Sequence, residues 1–168
     1  GAFGLQPDFL KGEILINMDS EDEGELYVGC AGGIDANVAF AYTEVPVPDG
    51  DVALKVTLKG LKGGHSGVDI HLQRANANKL MFRFLKEAVA DYEARLAGID
   101  GGSLRNAIPR EAVAILTVPA EGVQDVLELV DEYAALFTRE YAGVEDGISF
   151  TAEQTELPAG LLPEEIQD

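Results

Sequence analysis

Both histidines of the chain lie in one stretch, KGLKGGHSGVDIHLQRANANKL, residues 59–80, and Gly63, Gly64 and Gly67 crowd the first of them, His65. Glycine reaches backbone conformations closed to other residues and lets a second segment approach closely. GGHSG therefore describes an imidazole on a tight, bare loop at the entry to a helix. Such a group can orient a substrate or donate a hydrogen bond to developing negative charge. An exposed turn histidine is the plainer alternative, and a lone imidazole does not build a catalytic site. His71 falls in the first turn of the expected helix, where capping or packing is its natural use. A second loop, GGSLRNAIPRE, residues 101–111, sets Arg105 and Asn106 between two glycines and a proline. That pair suits a carboxylate, although a plain β-turn explains it nearly as well.

Asp19 closes the apolar run EILINM, residues 13–18. A carboxylate at the carboxyl end of a sheet strand is a common place for a metal ligand or an acid/base group, and a solvated turn aspartate is the alternative. The acidic segment that follows imitates a calcium loop, with Asp19, Glu21 and Glu23 at alternate positions and Gly24 sixth. An EF-hand needs a bidentate glutamate at the twelfth position. Cys30 stands there, and the flanks read as strands, so the calcium reading fails. Nucleophile elbow, phosphate loop and dinucleotide fingerprint are all missing from the sequence.

The elements that must position these residues follow from hydrophobic periodicity. EILINM and LYVGCAGG, residues 26–33, read as buried strands. Asp49 and Gly50, after Pro46 and Pro48, make a turn. VALKVTLKG, residues 52–60, alternates with period two as a half-buried strand does. Leu80, Phe84 and Ala88 fall on one line of a helix, with Met81, Leu85, Val89 and Tyr92 on the adjacent line. EARLAGIDGG and NAIPREAVAILTVP supply two more strands, the second ending at Pro119. A second helix over about 121–142 places Val123, Val126, Leu127, Val130, Ala134, Phe137 and Tyr141 on its apolar face. GISFTAE gives the last strand. From residue 51 the order is β-α-β-β-α-β, the ferredoxin-like pattern of an α+β fold, with two helices on one face of an antiparallel sheet.

Composition narrows the functions open to such a chain. Its 168 residues allow one full core, or one domain and part of another. Thirty acidic residues against 12 basic ones give a formal charge of −18, a field that repels phosphate backbones and anionic membranes. No nucleic-acid or membrane partner is expected. A single cysteine excludes an internal disulfide and suits a reducing cytoplasm. No apolar run reaches the roughly 18 residues of a membrane span, and GAFGLQPDFL lacks the pattern of a signal peptide. The start on glycine, and a C-terminal LPAGLLPEEIQD whose leucines and prolines have no obvious partner, lead us to expect an excised segment of a longer chain.

Three blocks, INMDSEDEGELYVGCAGGID, LKGGHSGVDIHLQRANANKL and GGSLRNAIPREA, occur in this order. Together they resemble the aminoacyl-histidine (Xaa-His, β-alanyl-histidine) dipeptidases of the di-zinc M20 metallopeptidase family, over roughly residues 1–155. The resemblance implies a catalytic domain with two zinc ions and a ferredoxin-like lid, or dimerisation, domain inserted in it. Residues 1–33 would be the end of the first catalytic segment and 34–155 the first portion of the lid, with 156–168 unassigned. It further implies that Asp19 ligates zinc and that His65 stabilises the oxyanion, commonly in the partner subunit's active site. Asn106 would contact bound substrate. The implied parent is a cytoplasmic homodimer that hydrolyses dipeptides with a metal-activated water. The remaining ligands and the general base are absent from these residues, so this chain alone is expected to be inactive. Val68 departs from the glycine or small polar residue that relatives often carry. A lid from another M20 hydrolase, a deacetylase or carboxypeptidase with a mainly structural role here, is the alternative.

Overall fold

The computed structural model describes every residue except 1–3, 5, 7, 15, 17–22, 30, 31 and 168. The chain divides into two compact units, Gly1–Ala39 and Phe40–Asp168. Among the described residues of the first unit no strand forms, contrary to the strand expected over 26–33; residues 15, 17 and 18 of the strand expected over 13–18 lie outside the described residues. The physical reason is visible in exposure: Leu26 is 90% and Val28 96% accessible. An apolar strand is stable only when a neighbour completes its ladder and covers a face, and none of the described residues there does so.

The second unit is built on β1 (Asp51–Lys59), β3 (Arg95–Gly101), β5 (Ala112–Pro119) and β6 (Ser149–Gln154), with a separate ribbon of β2 (Gly64–His65) and β4 (Ala107–Ile108). The four long strands form one antiparallel sheet in the order β3-β5-β1-β6, the ferredoxin-like arrangement. The pattern in VALKVTLKG is realised by the register, which sets Leu54 opposite Leu116, Val56 opposite Ala114 and Leu58 opposite Ala112. All six are essentially inaccessible. Because side chains alternate across a strand, Lys55, Thr57, Thr151 and Glu153 occupy the other face and stay half-buried or exposed. The one buried hydroxyl of the central strands, on Thr117, donates to Asp51 Oδ2 at 2.7 Å. The strand expected over NAIPREAVAILTVP is split: Pro109 lies between β4 and β5, and only the second half joins the main sheet.

Two helices cover the apolar face. Helix α1 (Ala77–Asp91) starts at Asn76, whose side chain accepts from the Lys79 N–H, an N-cap that satisfies one of the free amides of the first turn. It buries Leu80, Met81, Phe84, Leu85 and Ala88, and helix α2 (Val123–Glu140) buries Val126, Leu129, Val130 and Phe137. The periodicity located this stripe but missed Leu129; Leu127 is half-buried and packs against the core. Phe84, Phe137, Phe150 and Tyr133 meet edge to face, with ring centroids 5.2–5.7 Å apart. The helices are also tied at their outer rims. Arg83 donates to both oxygens of Glu140 at 2.6 and 2.8 Å and lies 5.3 Å over the Phe137 ring. Tyr133 donates to Glu87 Oε2 at 2.6 Å; burial, and then that bond, push its phenol up to about 12.

The C-terminal residues, partnerless in the sequence, are part of this unit. Leu161 is fully buried and exchanges two backbone hydrogen bonds with Val45. The Leu162 N–H donates to Leu96 O at 2.8 Å, and Gln167 Oε1 accepts from the Leu96 N–H at 2.7 Å. The tail, with short helix α3 (Glu164–Gln167), thus covers the start of β3, an edge strand that would otherwise present unpaired backbone.

Candidate functional site

The two loops singled out by composition meet. Strand β2 pairs antiparallel with β4, His65 opposite Ala107 and Gly64 opposite Ile108, and the Ser66 N–H donates to Asn106 O at 2.9 Å. His65 and Asn106 are therefore both exposed and one register step apart, Asn106 facing Ser66 and His65 facing Ala107. Periodicity cannot show this pairing, because each strand is only two residues long and the partners lie some 40 positions apart in sequence.

The loop fixes the imidazole. Nδ1 of His65 accepts from the N–H groups of Gly67 and Val68 at 3.0 and 3.1 Å. Two donors at one ring nitrogen require a lone pair there, so the hydrogen of the neutral ring is on Nε2. The backbone of His65 is held as well, its N–H donating to Asp69 Oδ2 at 2.8 Å. Arg74 Nη1 donates to Gly63 O at 2.6 Å and lies 3.8 Å from Asp69.

The glycines serve this packing. Gly63 and Gly64 adopt φ of +65° and +140°. A β-carbon on Gly64 would lie 2.6 Å from Arg74 Nη1 and 2.7 Å from Asp69 Oδ2. Bare backbone at 64 thus admits the two side chains that hold the loop.

His71 is not in the helix as expected. It belongs to a 3₁₀ turn, Ile70–Leu72, ahead of α1. Its Nδ1 is 2.9 Å from Val68 O. A carbonyl only accepts, so this ring carries hydrogen on Nδ1, the opposite arrangement to His65. Asp19 lies outside the described residues.

One flank of the ribbon is a cleft of about 570 Å³ whose lining includes Ser66, Arg74, Asn78, Lys79 and Arg105. Three cations line it in a chain of net charge −18, one of them, Arg74, engaged by Gly63 O and Asp69. Asp69 and Arg74 escaped the sequence reading. Their spacing from His65 is visible, but only the fold of the loop turns them inward. Among the described residues no group of three His, Cys, Asp or Glu side chains could hold a metal ion, and no helix is long and apolar enough to cross a membrane.

A two-helix layer on a β3-β5-β1-β6 sheet, with a histidine-bearing ribbon at its side, is a ferredoxin-like lid. Residues 56–145 match the M20 peptidase dimerisation domain, more than half of the chain, and the chain belongs to that family. It is 49% identical over 149 residues to the cytosol non-specific dipeptidase of Escherichia coli (strain K12), a match covering 89% of this chain and 31% of the relative. The crystal structure of aminoacylhistidine dipeptidase from Vibrio alginolyticus superposes with a TM-score of 0.77 at 42% identity, covering 98% of this chain and 34% of that one. An amidase of the hydantoinase/carbamoylase family from Burkholderia multivorans shares the fold alone, at 11% identity and a TM-score of 0.50 over 67% of this chain and 28% of its own. The chain spans about a third of the length of the dipeptidases it resembles.

Proposed function

We propose that this chain is the lid, with the segment leading into it, of a zinc-dependent cytosolic dipeptidase that cleaves Xaa-His and related dipeptides. The observation that carries the reading is the state of His65. It is an imidazole on an exposed ribbon, with Nδ1 occupied by two backbone donors and its hydrogen on Nε2. A donor oriented before the reaction stabilises a tetrahedral oxyanion without reorganisation at the moment of attack. Asn106, which precedes the paired strand and accepts from the Ser66 N–H through its carbonyl, is the substrate contact, and the cationic cleft suits a dipeptide carboxylate. In this reading the lid also forms the homodimer, so that His65 serves the partner's active site.

M20 dipeptidases are typically di-zinc enzymes. The described residues do not form such a centre, and Asp19 is the single candidate ligand. What this chain contributes is substrate clamping and a hydrogen-bond donor, and by itself it is inactive.

The test is hydrolysis of β-alanyl-histidine and of a plain Xaa-His dipeptide by the full-length protein, with and without a chelator. Chelation is expected to abolish turnover, and His65→Ala to lower kcat by about 10²–10³ with the dimer intact. If His65→Ala abolishes dimerisation and leaves turnover per dimer unchanged, His65 belongs to an assembly surface. Silence toward both dipeptides with zinc supplied would make the segment the lid of another M20 hydrolase.

A further inference from the structure

Glu145 is a buried carboxylate, 5% exposed, outside the ribbon and the cleft. It lies just past the end of α2, where its N–H donates to Tyr141 O at 2.9 Å. Its two oxygens reach two different parts of the chain. Oε2 accepts from the Lys62 N–H at 2.8 Å, and Oε1 accepts from the Ala75 N–H at 3.0 Å. Lys62 immediately precedes Gly63-Gly64-His65, and Ala75 immediately precedes Asn76, the cap of α1. One carboxylate therefore closes the base of the loop that carries His65. Lys62 adds to the tie, its Nζ donating to Val144 O at 2.6 Å and to Asp146 Oδ2 at 2.9 Å.

We infer that Glu145 is a positioning residue for His65: it pins both ends of the 63–74 loop to the end of α2 and so holds the imidazole in its single orientation. Backbone amides that donate to a buried carboxylate form charge-assisted bonds, stronger than bonds to a neutral acceptor. With its ends fixed, the loop closes on itself through Asp69 and Arg74, and the ring nitrogen finds the Gly67 and Val68 amides. A carboxylate is required because both partners are donors. Glutamine at 145 offers one oxygen and one NH₂, and the NH₂ would face an N–H. The role of Glu145 in turnover rests on the function proposed above for His65; its effect on the loop does not.

The two histidines make the test direct, since His65 carries hydrogen on Nε2 and His71 on Nδ1. In the chain labelled with ¹⁵N-histidine, long-range ¹H–¹⁵N spectra distinguish the two arrangements. Glu145→Gln is expected to move the His65 pattern toward a mixture of both forms. Amide exchange at Lys62 or Ala75 should accelerate about tenfold or more, with the protection of β1 and β5 retained. If Glu145→Gln does not fold, Glu145→Asp, which keeps the charge but is too short to span both donors, is read in the same way. The inference is overturned if a folded variant leaves His65 and both amides as in the parent. It is equally overturned if exchange rises uniformly through β1 and β5 as well, since Glu145 would then only support the fold. Turnover does not enter these readouts, so a failure of the dipeptidase reading at His65→Ala is separable from a failure here.

Discussion

Replacing Gly64 by alanine tests why the loop around His65 is bare. Two costs follow from the structure. The backbone at 64 has φ of +140°, a region essentially confined to glycine, where another residue costs about 1–3 kcal/mol. The new methyl group would also sit 2.6 Å from Arg74 Nη1 and 3.0 Å from Asp69 Cβ. The guanidinium is the flexible end of its side chain and moves first, giving up its 2.6 Å bond to Gly63 O. A lost hydrogen bond to a charged group costs about 1.5–3 kcal/mol. Gly64→Ala should thus destabilise the fold by about 2.5–6 kcal/mol, read as a lower urea midpoint at unchanged m. Arg74→Ala removes one of the two side chains the methyl group meets, so on that background Gly64→Ala should cost less by the roughly 1.5–3 kcal/mol of the lost Arg74 bond, with the backbone and Asp69 shares remaining. The double-mutant cycle measures the difference. A loss below about 1 kcal/mol, or strict additivity of the two substitutions, would refute the claim that glycine is there to admit Arg74.

Two further outcomes follow from packing and charge. Phe84 is fully buried against Tyr133 and Phe150, so Phe84→Ala should cost about 3–5 kcal/mol in denaturant unfolding. A much smaller loss would mean that the aromatic cluster repacks around the gap. The hydrogen bond from Arg83, and then the charge of Arg83, hold the Glu140 carboxyl below its ordinary 4.5. A lowered folded value means that the contribution is present above the unfolded value and is lost as pH falls through the folded one. Both side chains are substantially exposed, at 42% and 36%, so an Arg83→Ala/Glu140→Ala cycle should give about 0.2–1 kcal/mol at neutral pH. The coupling should disappear in strong acid; a coupling that persisted there would rule out an ionic origin.

The second unit was legible in the sequence because its signals are local and repeated. Alternation in VALKVTLKG and the 3.6-residue stripe of α1 report on which face is buried, and burial is what tertiary packing demands of them. The order β-α-β-β-α-β then leaves few ways to form a sheet covered on one side, and the observed β3-β5-β1-β6 order is one of them. The strand read over 26–33 shows the limit of that inference. Apolar alternation states what a segment can do when a neighbour is present, and the described residues there have none.

The site divides along the same line. Its special residue types were visible without coordinates, as glycines around an imidazole and an Arg-Asn pair between glycines. Their meeting was not, since a two-residue ribbon has no periodicity and joins His65 to Ala107 across the whole of α1 and β3. The protonated nitrogen of each histidine, the inward turn of Asp69 and Arg74, and the reach of Glu145 to both Lys62 and Ala75 are likewise products of the fold. Side-chain chemistry is a property of one residue and can be read from the sequence. Which donor faces which acceptor depends on distances between residues far apart in the chain, and only the packed tertiary structure sets those.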